Sequence, residues 1–230
     1  MTISDDRIAR FARQLLVPSF GERTQERLAE ARVRAVGLGP AATPGLVYLV
    51  QGGAGLLWLD DSEPVGPADL GWIFGPGAIG ARRDEAAALA LAALSRFAAV
   101  ERYPVGGVPT AVFVAASSLA GALAAAEAAR RAGVPHVVLE PDGDGGAVVS
   151  VPANAPCYAC ARSSWAPGRP PAPGAAALSA LAAAELVQMI ALPGAIPGRR
   201  IDLVRGVASA RPTARRAGCA CGVDLRRSPT

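Results

Sequence analysis

Between residues 32 and 61 the chain packs a strand, a glycine-rich turn, a helix, a second strand and an acidic end into thirty residues. Arg32 to Val36 reads as a short strand. Gly37-Leu38-Gly39-Pro40-Ala41-Ala42 follows, then a helix from about Ala42 to Gln51, then Leu56 to Leu59, ending at Asp60 and Asp61. This layout is a βαβ unit with parallel strands. In such a turn the first glycine permits the tight bend and the second lets a phosphate approach the backbone. The third position needs a small residue for helix packing. Gly37, Gly39 and Ala42 fill those places, and Asp60 stands where a carboxylate meets ribose hydroxyls. Pro40 removes one N–H from the phosphate cradle. On the turn alone, nucleotide binding and a purely structural βα turn are both open.

Around this unit, residues 5 to 31 read as helical, broken at Pro18–Gly21. Residues 62 to 79 are Gly- and Pro-rich and read as loop. A helix is predicted over Arg82 to Phe97, a strand over Ala111 to Ala115 and a helix over Leu119 to Ala132. His136 to Glu140 and Ala147 to Val151 read as a hairpin around the Asp142–Gly146 turn. Residues 166 to 174 form a proline-rich linker before an apolar helix, Ala175 to Leu192, and a late strand, Ile201 to Val207. Alternating strands and helices predict a doubly wound, mostly parallel α/β sheet, with antiparallel additions toward the C-terminus. The expected organisation is one domain over 1–230. It divides into a helical arm (1–31), a nucleotide-binding half (32–145) and a C-terminal half carrying cysteine pairs (146–230).

All basic residues are arginine, and the absence of lysine excludes a Walker A loop and Schiff-base chemistry. Arginines crowd the end of the chain, but no aromatic residues interleave for base stacking. That segment reads as a solvated terminus rather than a nucleic-acid surface. No apolar run is long enough to span a bilayer and no signal-like segment opens the chain, so a cytoplasmic location is expected. Four cysteines there point to metal before disulfides.

Those cysteines form two close pairs, Cys157-Tyr158-Ala159-Cys160 and Cys219-Ala220-Cys221. Four thiolates suit tetrahedral Zn²⁺. Unmetallated loop thiols are the alternative, and a redox C-x-x-C lacks its strand-to-helix context. The single histidine, His136, begins an apolar strand and reads as structural. Ser117 and Ser118 read as a helix cap at the carboxyl edge of the sheet. Trp72 and Phe74 serve either as a lid or contact surface, or as an anchor for their own loop.

Together these segments resemble the ThiF, MoeB and HesA family. Arg10-Phe11-Ala12-Arg13-Gln14-Leu15-Leu16, Phe20-Gly21 and Gln25-Glu26-Arg27-Leu28 are similar to its N-terminal signature. Val36-Gly37-Leu38-Gly39 and Gly55-Leu56-Leu57-Trp58-Leu59-Asp60-Asp61 follow at the family's spacing. The resemblance implies a Rossmann-like fold related to ubiquitin-activating enzymes. It also implies ATP and Mg²⁺ as cofactors, a zinc on Cys157, Cys160, Cys219 and Cys221, and a homo- or heterodimer with a ThiF-like subunit. The family adenylates the C-terminus of a ubiquitin-like or sulfur-carrier protein. By the same resemblance, Arg13 matches the arginine that reaches into the partner's ATP site, and Arg83 falls where the family places a phosphate-contacting lysine. Three departures are visible. The family's Asn-x-x-Arg-Gln becomes Asp69-Leu70-Gly71-Trp72-Ile73, its metal-binding aspartate falls near Ser117, and the crossover loop has no cysteine. The expected function is therefore a catalytically degenerate relative, a pseudoenzyme or supporting subunit that binds a carrier protein, peptide or active homologue. The alternative is an active, divergent adenylyltransferase.

Overall fold

The computed structural model describes residues 3–143, 145–162 and 174–222. The proline-rich linker, apart from Gly174, and the last arginines lie outside those residues.

Two helices open the chain, α1 (Asp5–Leu15) and α2 (Glu22–Glu30). Ser4 caps α1 by accepting from the Arg7 N–H, and Asp5 and Asp6 sit favourably in its positive first turn. Phe11 is the buried side chain of α1 and packs on Phe97, with ring centroids 5.8 Å apart. Then come β1 (Arg32–Val36), α3 (Thr43–Gly52), β2 (Leu56–Asp60), α4 (Arg83–Ala92), β3 (Ala99–Arg102), β4 (Ala111–Val114) and α5 (Leu119–Arg131). The chain continues through β5 (His136–Asp142), β6 (Gly145–Val151), the single turn α6 (Tyr158–Ala161), α7 (Gly174–Ala191), β7 (Arg199–Val204) and β8 (Val207–Pro212).

The strands form one sheet in the order β3-β2-β1-β4-β5-β6-β7-β8. Pairing is parallel from β3 to β5 and antiparallel from β5 to β8. Strand alternation splits the core in two. Val33, Ala35, Leu57, Leu59, Phe113 and Leu139 face one way, against α3, α4 and α7. Val112, Val114, Val138 and Val149 face the other way, against α5 and Tyr158. Helix α7 crosses close to α3 because Gly45 has no side chain; a Cβ there would stand 2.7 Å from the Ser179 carbonyl oxygen. After β1 the chain moves outward to β2 and β3, then returns to β4 on the other side of β1. The carboxyl ends of β1 and β4 are thus the topological switch point, where sheets of this kind bind ligands.

Two expectations need correcting. The helix from Arg82 ends at Ala92 rather than Phe97, and the residues after it make an unforeseen edge strand, β3. The late strand is a hairpin instead, turning at Arg205–Gly206, both with positive φ.

Candidate nucleotide crevice and metal centre

Gly37 must be glycine. Its φ is +81°, and a Cβ would stand 2.5 Å from the Ala115 carbonyl oxygen. The bend therefore fits tightly between β1 and the end of β4. Asp60 lies beside it: Gly37 N–H donates to the Asp60 carbonyl at 3.2 Å, and Val36 pairs with Asp60 in register. The Asp60 carboxylate is 36% exposed, and Arg34 engages its Oδ2 through both Nε and Nη2. No hydrogen bond among the described residues involves Oδ1. Arg34 also stacks on Tyr103, 4.1 Å from the ring centroid.

The amides of the bend are largely spent. Leu38 N–H donates to Asp61 Oδ2 at 2.8 Å. Ala42 and Thr43 N–H both donate to the Gly39 carbonyl, and Gly45 N–H donates to Ser179 Oγ. Pro40 and Pro44 have no N–H to give. Gly39 and Ala41 are left as the amides of this segment without a partner among the described residues. Ala42 is fully buried, as the small third position requires.

Arg83 lies nearby, and its guanidinium is also committed. Nε and Nη2 donate to Asp69 Oδ2 at 3.0 and 2.8 Å, and Nη1 donates to Asp61 Oδ2 at 3.3 Å. Burial works to lower the Arg83 pKa, but the Asp69 hydrogen bond and both carboxylate charges outweigh it and raise it overall. The side chains of Asp61 and Asp69 are only 8% and 2% exposed. Asp69 Oδ1 lies 3.8 Å from where a Cβ on Gly39 would stand, so this acid borders the glycine bend. By sequence, Asp69 is only a substituted asparagine and Asp61 only part of a motif. Their partnership with Arg83 depends on the folding of the 61–83 excursion and leaves no local signal. On that excursion Phe74 is buried as an anchor, while Trp72 is 66% exposed with φ 41°.

The Arg13 side chain is exposed and makes no ion pair or hydrogen bond among the described residues. Its helix packs through Phe11 near Gly53 and Phe97, just ahead of β2 and β3. That is the opposite sheet edge from the glycine bend, separated from it by the ten residues of α3, about 15 Å. A cavity of about 950 Å³ also opens on the opposite edge, lined by Arg27, Arg32, Thr110, Pro152, Met189 and Ile196 among others. None of the glycine-bend residues lines it.

On the α5 face the four cysteines converge. Their sulfurs all lie within 4.8 Å of one another. Sγ···Sγ distances are 3.7 Å for Cys157–Cys160, 3.6 Å for Cys157–Cys219 and 3.6 Å for Cys160–Cys221. A tetrahedron of thiolates about 2.3 Å from zinc has edges of about 3.8 Å, so the set fits that ion. The one-residue spacer of the second pair is no obstacle, because each of its cysteines faces a different member of the first pair. With no ion, burial pushes the Cys157 thiol up to about 12. Cys221 sits at about 7: burial acts upward there too, but the Cys157 N–H and the neighbouring thiols outweigh it. Tyr158, between the first two cysteines, is buried and donates to Glu140 Oε1 at 2.9 Å; Glu140 also pairs with buried Arg200.

The remaining candidates are structural. Ser118 caps α5 by accepting from Gly121 N–H at 3.1 Å. His136 is buried and contacts the Val134 carbonyl through Nδ1, and its Nε2 has no partner among the described residues. Burial lowers its pKa from 6.5 to about 4. Between those two values the unfolded chain binds the proton and the folded chain does not. Stability should therefore fall by about 3 kcal/mol as pH drops through that window. Urea midpoints at pH 7 and 4.5 check this, with His136→Gln losing less on acidification than the parent. An equal loss in both would remove His136 as the cause.

No family model matches the chain. Mouse adenylyltransferase and sulfurtransferase MOCS3 is 38% identical over 104 residues, which is 44% of this chain and 23% of that protein. The probable adenylyltransferase/sulfurtransferase MoeZ of Mycobacterium tuberculosis is 35% identical over 68 residues, 30% of this chain and 17% of that one. Over these segments the chain is similar to ThiF/MoeB-type adenylyltransferases. Its matches span less than a quarter of the length of these curated relatives. Among solved structures, E. coli MccB with ATP superposes at TM-score 0.76 and 19% identity, over 93% of this chain and 73% of that one. MccB in complex with N-formylated MccA gives 0.76 and 18%, over 93% and 75%. At such identity these structures establish the fold, which this chain shares. No described helix is long and apolar enough to cross a membrane.

Proposed function

We propose that this ThiF/MoeB-type chain is a catalytically degenerate subunit of adenylyltransferase ancestry. It binds a carrier protein, a peptide or an active homologue and supports ATP-dependent activation without performing it alone. The observation that carries this reading is the commitment of Arg83. Adenylation needs cations facing the transferring phosphates, and the guanidinium that replaces the family lysine is held by Asp61 and Asp69. Ser117 at the metal-ligand position supplies no carboxylate, which removes a natural Mg²⁺ ligand.

Arg13 supports the supporting-subunit half of the reading. It is exposed, has no partner among the described residues and sits far from its own glycine bend, as an arginine offered to a second ThiF-like subunit would. A carrier or peptide partner is suggested by the neighbours: MccB was crystallised with MccA, and the MOCS3 and MoeZ relatives are named adenylyltransferases. The proposed organisation is one domain with a cysteine-clasped C-terminal half, and zinc is its metal.

ATP–pyrophosphate exchange tests the reading. The isolated chain should show no exchange above background with Mg²⁺ and a candidate carrier or peptide. In a mixed assembly with an active ThiF-like subunit, Arg13→Ala should lower exchange by about 10³-fold, the low end for an arginine supplied in trans. Robust exchange by the isolated chain would end the degenerate reading.

A further inference from the structure

We propose that the crevice beside the glycine bend takes the uncharged end of a nucleoside, and that Asp61 and Asp69 turn polyphosphate away. The Asp60 carboxylate beside the bend provides the element that recognises a ribose, an acceptor for its hydroxyl pair. Asp60 is open enough for that contact, at 36% exposure, with Arg34 fixing it through Oδ2 and no hydrogen bond among the described residues taking Oδ1.

The phosphate half is built the other way. Polyphosphate is held by free backbone N–H groups and unpaired cations. Here the Leu38 N–H already faces a carboxylate, the N–H groups of Ala42, Thr43 and Gly45 are taken, and two prolines interrupt the series, so that only the Gly39 and Ala41 amides remain without a partner among the described residues. One guanidinium, Arg83, stands between two buried carboxylates, so the local sum is −1. A triphosphate would have to displace Asp61 from the Leu38 amide while lying beside Asp69. Both acids are nearly out of water, so solvent screens their charge little. An uncharged nucleoside meets none of this opposition.

The assignment builds on the degenerate-site reading, and the two fail separately. Loss of exchange activity leaves the ligand preference open, whereas calorimetric titration of the full chain with adenosine, AMP and ATP, each with and without Mg²⁺, decides it. Adenosine should bind about tenfold or more tighter than ATP, the effect of one poorly screened like charge. Asp60→Asn should weaken adenosine by a similar factor of about ten, as loss of a charged acceptor does. Asp69→Asn keeps the size and one acceptor oxygen for the Gly66 N–H. It should narrow the adenosine–ATP gap by at least about tenfold. ATP binding tighter than adenosine, with or without Mg²⁺, overturns the proposal, as does the absence of saturable adenosine binding. If Asp69→Asn does not fold, the ranking of adenosine and ATP in the parent protein still decides between these outcomes.

Discussion

Replacing Arg200 by methionine should destabilise the fold by about 3–5 kcal/mol, the usual penalty for stranding one member of a buried ion pair. Arg200 on β7 is 5% exposed and Glu140 on β5 is 1% exposed, and they pair across β6. Asp202 takes Nε of the same guanidinium at 2.7 Å. Removing the cation leaves Glu140 with the Tyr158 hydroxyl as its one remaining partner among these groups. That hydroxyl stays protonated, because burial and the Glu140 charge both raise its pKa. A single neutral donor does not offset the desolvation of a carboxylate. The double variant Glu140→Gln/Arg200→Met removes both charges and should recover most of the loss. Urea denaturation of the three proteins measures it. A single-variant loss below about 1 kcal/mol would mean that water already reaches the pair, against the burial seen here.

The larger effect is expected at the cysteines. Protein purified without chelator should carry close to one zinc per chain, and Cys157→Ser should fall below about half an equivalent. Structural four-thiolate zinc contributes folding free energy of about 10–16 kcal/mol in small peptides at neutral pH, and a lone serine cannot replace a thiolate ligand. In this larger domain the sheet keeps its own core, so the expected loss is confined to the C-terminal half. Chelator treatment of the parent should expose the segments around Cys157 and Cys219 to limited proteolysis while β1 to β4 remain protected. Metal analysis together with the cleavage pattern checks both points. A metal-free parent with four free, protected thiols would overturn the zinc assignment.

The fold is legible in the sequence where local chemistry and global role agree. The βαβ unit around Gly37 can be read because a positive-φ glycine, a small Ala42 and a terminal Asp60 are all short-range requirements. The cysteine pairs can be read for the same reason, since ligand spacing is local. Strand β3 cannot. Its four residues, Ala99 to Arg102, sit at the sheet edge with Val100 half-buried, too little alternation to stand out from the end of an alanine-rich helix. The commitment of Arg83 is hidden too. It depends on Asp61 and Asp69, 22 and 14 residues upstream, being folded back by the excursion between β2 and α4. Sequence marks an arginine where a lysine is expected. It does not tell whether that arginine is available.

The four-sulfur cluster sits on the α5 face, while α7 lies on the opposite face, and both belong to the stretch between Cys157 and Cys221. The described parts of that stretch, α6, α7, β7 and β8, thus lie on both faces of the sheet's antiparallel margin, and the sulfurs of Cys157 and Cys160 meet those of Cys219 and Cys221 beyond β8. On its C-terminal side α7 runs within seven residues into β7, so pulling the helix off the sheet strains the β6–β7 pairing and, past β8, the sulfurs as well.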